Sequence, residues 1–142
     1  MGDGVLVEEA YQLIKDDLFR VYERNAEIGG NRHDDPEKFI KERIGNAKTL
    51  IKRGKEGKPL GFITYKDEGN FIDFLNLAIH PDIRGSFLGC RVAKDLNDKM
   101  ETEGKPIRLV ILKVETDIFK LALSYGYKII GGEKYQLILG KE

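Results

Sequence analysis

The spacing of apolar residues divides the chain into a helical beginning and a mixed remainder. Over about 6–24, Ala10, Ile14, Leu18, Val21 and Tyr22 recur at steps of three and four. That spacing draws one apolar stripe and predicts an amphipathic helix. Gly29-Gly30-Asn31 breaks it. Asp35 before Pro36 predicts a second start, because a carboxylate caps free N–H groups and proline costs nothing at the first helical position. This helix extends over about 36–47, with Phe39, Ile40, Ile44 and Ala47 inward.

The pattern then changes to that of strands, predicted over 49–52, 59–66 and 71–79 and joined by turn residues at 54–57 and 67–70. In the third strand Phe71, Asp73, Leu75, Leu77 and Ile79 alternate with Ile72, Phe74, Asn76 and Ala78. Both faces are apolar, which places it at the centre of a sheet. A third helix follows over 88–103, with Val92, Ala93, Leu96 and Met100 in register. The apolar run 107–114 reads as an interior strand. Thr116 is expected to cap a fourth helix through Tyr125, closed by Gly126. Two last strands, 128–130 and 135–139, flank a turn at Gly131-Gly132. The order ααβββαβαββ describes an α/β (α+β) layer with a mixed sheet.

Composition narrows what such a layer does. The 142 residues suit one domain, 1–142, without repeat or linker. Lys and Arg number 24 and so do Asp and Glu, a balance that argues against a dedicated nucleic-acid binder. No apolar run approaches the ~20 residues of a membrane span, and Met1 to Gly4 lack the features of a secretory leader. Cys90 is the single cysteine, which rules out an intrachain disulfide or a multi-cysteine zinc site and fits a cytoplasmic setting. His33 and His80 stand far apart, so no metal site is expected. The basic group Lys48, Lys52, Arg53, Lys55 and Lys58 reads as a solvated hairpin rim, or as an attractor for an acidic ligand.

The informative stretch runs from Asn76 to Cys90. A strand ending in a Gly-containing loop that opens a helix presents unpaired N–H groups at a positive dipole end, which suits a phosphate or pyrophosphate. Arg84 adds charge, and Gly85 and Gly89 permit close approach. An ordinary strand–loop–helix connection has the same spacing, so both readings stand at this point. Cys90, near a helix start, is either a thiol of lowered pKa or a small buried filler.

The run Leu77-Ala-Ile-His-Pro-Asp-Ile-Arg-Gly-x-x-Leu-Gly89 resembles the acetyl-CoA signature of the GNAT N-acetyltransferases, and Pro59-Leu-Gly-Phe-Ile63 and Ser124-Tyr-Gly-Tyr-Lys-Ile-Ile-Gly131 resemble two further family segments. The similarity covers about 49–142, with the two helices before it in the expected place and the usual first strand missing or reduced to a few residues before Ala10. It implies a mixed, mostly antiparallel central sheet flanked by helices, and transfer of acetyl from acetyl-CoA to the primary amine of a small molecule or a protein. On this resemblance Arg84, Gly85, Ser86, Phe87, Leu88, Gly89 and Cys90 would wrap the pyrophosphate. Leu77, Ala78 and Ile79 would pair with the pantetheine arm where two strands splay, and an N–H near Leu77 would polarise the thioester carbonyl. The resemblance also implies relatives that often pair as homodimers.

Two positions depart from the family pattern. Phe87 replaces the middle glycine of the loop, and Ala122 occupies the place of a tyrosine that acts as general acid. Both favour an alternative, a CoA- or protein-binding module without catalysis. Asp73 is the expected base, by resemblance to a family glutamate on the same strand; its bland reading is a solvated carboxylate near a turn. Asn76, on the other face, is a weaker candidate for hydrogen bonding to water or substrate.

Overall fold

The computed structural model describes residues 4–142; Met1, Gly2 and Asp3, which carry much of the reading about a leader, lie outside the described residues. Helix α1 spans Gly4–Glu27 and α2 spans Pro36–Gly45, where the Asp35 side chain accepts the Lys38 N–H at 3.1 Å as its cap. Strands β1 (Lys48–Arg53), β2 (Pro59–Asp67) and β3 (Ile72–Ile79) form an antiparallel meander. Helix α3 (Phe87–Glu101) crosses to β4 (Ile107–Leu112), which lies parallel to β3. Then come α4 (Thr116–Ser124), β5 (Lys128–Gly132) and β6 (Gln136–Lys141).

The sheet order is β1-β2-β3-β4-β6-β5, with every neighbouring pair antiparallel except β3 and β4. The expected mixed sheet with β3 near its centre is therefore present. Among the described residues no strand precedes α1, and no helix is long and apolar enough to cross a membrane.

Two cores lie on the two sides of the sheet. On one side α3 contributes Val92, Ala93, Leu96 and Met100 against Ile63, Tyr65, Leu109 and Leu139, with α4 packed alongside. On the other, Ala10, Ile14 and Leu18 of α1 and Ile40 and Ile44 of α2 close over Phe62 and Ala78. The helical stripes read from the sequence are thus the buried ones. Phe39 and Ala47 differ: Phe39 is exposed and stacks on His33, and Ala47 is half-buried.

Three features of the sequence reading are corrected, each for a local reason. Gly131 and Gly132 belong to β5 rather than to a turn, because the register shift after Ile129 lets them pair with Ile138 and Leu137. Glu115, not Thr116, holds the cap position of α4, and its side chain bonds elsewhere. The largest correction concerns β3. Thr64 and Tyr65 are adjacent on β2, yet they pair with Asn76 and Phe74. Leu75 is therefore an extra, bulged residue, and a bulge inverts the alternation of faces beyond it. Ile72 and Phe74 consequently share the α3 side with Leu77, whereas Asp73, Asn76 and Ala78 all face α1 and α2. Asp73 does not share a face with Leu77, and Asn76 lies on its side of the sheet.

Candidate active site

The bulge marks the point where β3 and β4 part. They pair at Ile72–Ile107, Asp73–Arg108 and Phe74–Leu109, and no pairing continues beyond. The rest of β4 pairs only with β6, and the rest of β3 only with β2. The His80 N–H donates to the Leu60 carbonyl at 2.8 Å, which fixes the phase of the β2–β3 ladder. In an antiparallel ladder alternate residues bond to the same neighbour, so Leu77 and Ile79 turn their N–H groups into the gap. Ala78 directs its backbone into β2 and its methyl into the α1–α2 core. On the α3 side the gap is floored by an apolar crevice of Phe74, Leu77, Leu109, Ile118, Ala122 and Tyr125.

The gap leads to the start of α3. Ser86 caps that helix, its Oγ accepting the Gly89 N–H at 3.1 Å and its carbonyl accepting the Cys90 N–H. Among the described residues the N–H groups of Phe87 and Leu88 have no protein partner, and both residues are exposed. These are the orphan donors of a helix start, at the positive end of its dipole. Gly85 takes φ +73°, a conformation glycine adopts without strain. Gly89 is required for a different reason, since a Cβ there would lie 2.1 Å from the Ile83 carbonyl oxygen. Phe87, 80% exposed, projects its ring outward from the first helical position, so the backbone keeps its course without the middle glycine.

Arg84 faces away from this opening. Its Nε donates to the Ile79 carbonyl at 2.8 Å, Nη1 donates to Asp17 Oδ1 at 3.0 Å, and Nη2 lies 2.7 Å from Asp17 Oδ2 and 3.4 Å from the Leu13 carbonyl. The guanidinium fastens the loop to α1. Cys90 is exposed rather than a buried filler, because its helix position looks outward. His80 is a loop residue whose Nδ1 accepts the Asp82 N–H. The basic rim is largely neutralised, with Lys48 on Glu103, Lys52 on Asp95, Arg53 on Glu9 and Lys58 on Asp82.

On the α1–α2 side the gap is overlooked by ionisable groups that the sequence reading did not join. Arg43 of α2 reaches the Leu75 carbonyl at the bulge, at 3.5 Å, and its buried Nε has no partner. Asp73 and Glu115 both feel its charge, and so does Tyr22 of α1. Burial raises both carboxyl pKa values above the ordinary range, and Arg43 opposes the rise in each. Burial also pushes the Tyr22 phenol up to about 12. Asn76 adds a buried Oδ1 without a partner. Sequence spacing gave no signal for this group, because its members come from four separate segments.

A six-stranded mixed sheet with a bulged central strand, a V between parallel neighbours and an open helix start at its mouth defines the fold of the GNAT acetyltransferases. Among solved structures, the chain is similar to the PaiA N-acetyltransferase from Thermoplasma acidophilum in complex with coenzyme A, at 18% identity and TM-score 0.71 over 96% of this chain and 92% of that one. It is also similar to the ribosomal-protein-S18-alanine N-acetyltransferase from Escherichia coli, at 16% identity and TM-score 0.65 over 97% and 88% of the two chains. A third is a GNAT family acetyltransferase from Elizabethkingia anophelis with acetyl-CoA bound, at 13% and 0.61 over 74% and 82%. At these identities the likeness is one of fold. No family model matches the chain, and no curated protein sequence matches it.

Proposed function

We propose that this chain transfers an acetyl group from acetyl-CoA to a primary amine. The observation that carries the reading is the continuous path from the parted strands β3 and β4 to the unpartnered N–H groups at the start of α3. The residues present fit the ligand: strand N–H groups turned into the gap suit an extended amide-containing arm, and a helix start with unpartnered N–H groups suits its diphosphate. The N–H groups of Phe87 and Leu88 hold the phosphates, and those of Leu77 and Ile79 align the arm. Gly89 lets α3 approach the loop, and Ser86 shapes its first turn. Arg84 acts at one remove, fixing the loop against α1 rather than reaching the phosphates.

The ligand, when bound, supplies an activated thioester carbonyl. The Leu77 N–H donates to that carbonyl oxygen as negative charge develops on it, a contribution fixed in advance by the strand. The acceptor enters from the α1–α2 side, where Glu115 stands beyond the end of β4 with its carboxylate held by the Leu112 N–H. No phenol stands at Ala122, so the departing thiolate takes its proton from solvent or from the attacking amine.

A second reading is a binding module without catalysis, favoured by Phe87 at the phosphate loop and by the buried Ala122. Thermal denaturation with and without acetyl-CoA tests binding, since a ligand of the folded state raises the melting temperature. Release of free thiol across a panel of primary amines then separates enzyme from binder. Stabilisation with no thiol release from any amine would favour the module.

A further inference from the structure

We infer that Glu115 receives the ammonium group of the acceptor and takes its proton, and that Asp73 does not. The inference rests on the acetyl-transfer reading above and assigns its acceptor side.

Three observations of placement carry it. Glu115 lies three residues beyond Leu112, the end of β4, where β3 and β4 have already separated. Its Oε2 accepts the Leu112 N–H at 2.7 Å, which anchors the carboxylate at the open end of the V. Oε1 has no hydrogen-bond partner among the described residues and is left for a ligand. Asp73, by contrast, pairs across both neighbours, with Lys66 on β2 and Arg108 on β4, in the closed stretch before the strands part. With Leu75 bulged out, Asp73 and Leu77 pair with β2 residues three apart, so at roughly 3.3 Å per residue Asp73 lies about 10 Å along the sheet from Leu77, whose N–H faces the thioester.

The charged and titratable groups around Glu115 come from both covering helices. Arg43 of α2 favours its ionised form and Tyr22 of α1 remains neutral, while burial opposes ionisation. A carboxylate held in that balance takes a proton more readily than a solvated one, as a base requires. Tyr22, whose phenol feels the Glu115 charge, belongs to an aromatic cluster with His33 and Phe39, with ring centroids 4.4 Å apart for Tyr22–His33 and 4.3 Å for His33–Phe39. An ammonium joined to an apolar or aromatic group matches this surface, because the rings favour apolar area and cations alike.

The acceptor ammonium gives one proton to Glu115, forming a carboxyl O–H. The freed nitrogen lone pair forms a C–N bond to the thioester carbonyl carbon. The C–S bond breaks with its electron pair on sulfur, and a second proton from nitrogen ends on that thiolate. Glu115 returns its proton to water.

The test uses Glu115→Gln, Asp73→Asn and the unaltered protein, with 2-phenylethylamine as probe and 2-phenylethanol as the uncharged control. CoA binding and melting temperature are recorded for each, and Glu115→Asp provides a conservative rescue. With CoA present, the amine should bind the unaltered protein and Asp73→Asn alike, and Glu115→Gln at least tenfold more weakly. Acetyl transfer by Glu115→Gln should fall by about 100-fold or more and lose the acidic limb of its pH–rate profile, as expected for a lost general base. Partial recovery in Glu115→Asp supports the assignment. If Glu115→Gln binds CoA and the amine as the unaltered protein does, or if only Asp73→Asn suffers, the assignment is overturned while the acetyl-transfer reading stands. Failure of the unaltered protein to bind CoA would overturn both.

Discussion

Arg84 and Asp17 face each other across the joint between the loop before α3 and α1, with Nη2 and Oδ2 2.7 Å apart. Both side chains are partly exposed, so the pair by itself contributes about 1 kcal/mol or less to stability. Its larger effect is on position, since the same guanidinium also holds the carbonyls of Leu13 and Ile79. Asp17→Asn releases Arg84 without removing it. If Arg84 positions the loop, Asp17→Asn and Arg84→Ala both weaken acetyl-CoA binding in calorimetric titration. If the guanidinium instead touched phosphate, freeing it would leave affinity unchanged or improve it.

Gly89 is where α3 packs closest to the turn before it. A methyl group placed 2.1 Å from the Ile83 oxygen forces the helix start to shift. Gly89→Ala is expected to cost about 2 kcal/mol or more in urea denaturation, in the range of overpacked sites. It should also abolish the acetyl-CoA shift in any fraction that folds. A change in stability below about 0.5 kcal/mol, the level of an ordinary surface substitution, would contradict the packing argument.

Phe87 tests the reverse case. Its ring is in solvent, so Phe87→Gly removes no core contact. The expected loss of stability is under about 1 kcal/mol, the helix-propensity difference. Affinity for CoA should rise several-fold as the loop opens to the diphosphate. Weaker binding would show that the ring itself contacts the ligand.

Glu115 also predicts how stability varies with pH. Its carboxyl pKa is raised on folding, chiefly by burial. The native state therefore binds its proton more tightly than the unfolded state does. Stability is lost as pH rises from the ordinary carboxylate value to the raised one. Glu115→Gln keeps an acceptor for the Leu112 N–H and removes the charge. The variant should be more stable than the unaltered protein at pH 8, and the difference should vanish at acidic pH. Denaturant midpoints across that range measure it; a constant difference would remove burial as the cause.

The fold was legible because its helices carry single apolar stripes and its strands are short and apolar. Val92, Ala93, Leu96 and Met100 point where their spacing says they do. The turn before α3 was legible because its signal is local, a glycine-containing loop running into a helix. The acceptor side was not. A bulge at Leu75 leaves no mark in composition, yet it moves Asp73 to the other face of the sheet. Glu115 reads in sequence as a polar residue between a strand and a helix. Its burial and its nearness to Arg43 and Tyr22 arise only when segments more than 70 residues apart converge.

The account depends on a diphosphate held by the first N–H groups of α3. Titration of the ¹⁵N-labelled protein with CoA, followed by amide chemical shifts, tests this directly. The account predicts the largest shifts at Gly85, Phe87, Leu88 and Gly89, with smaller ones at Leu77 and Ile79. Shifts clustered elsewhere with those six amides unmoved, or no shifts at millimolar CoA, would contradict it.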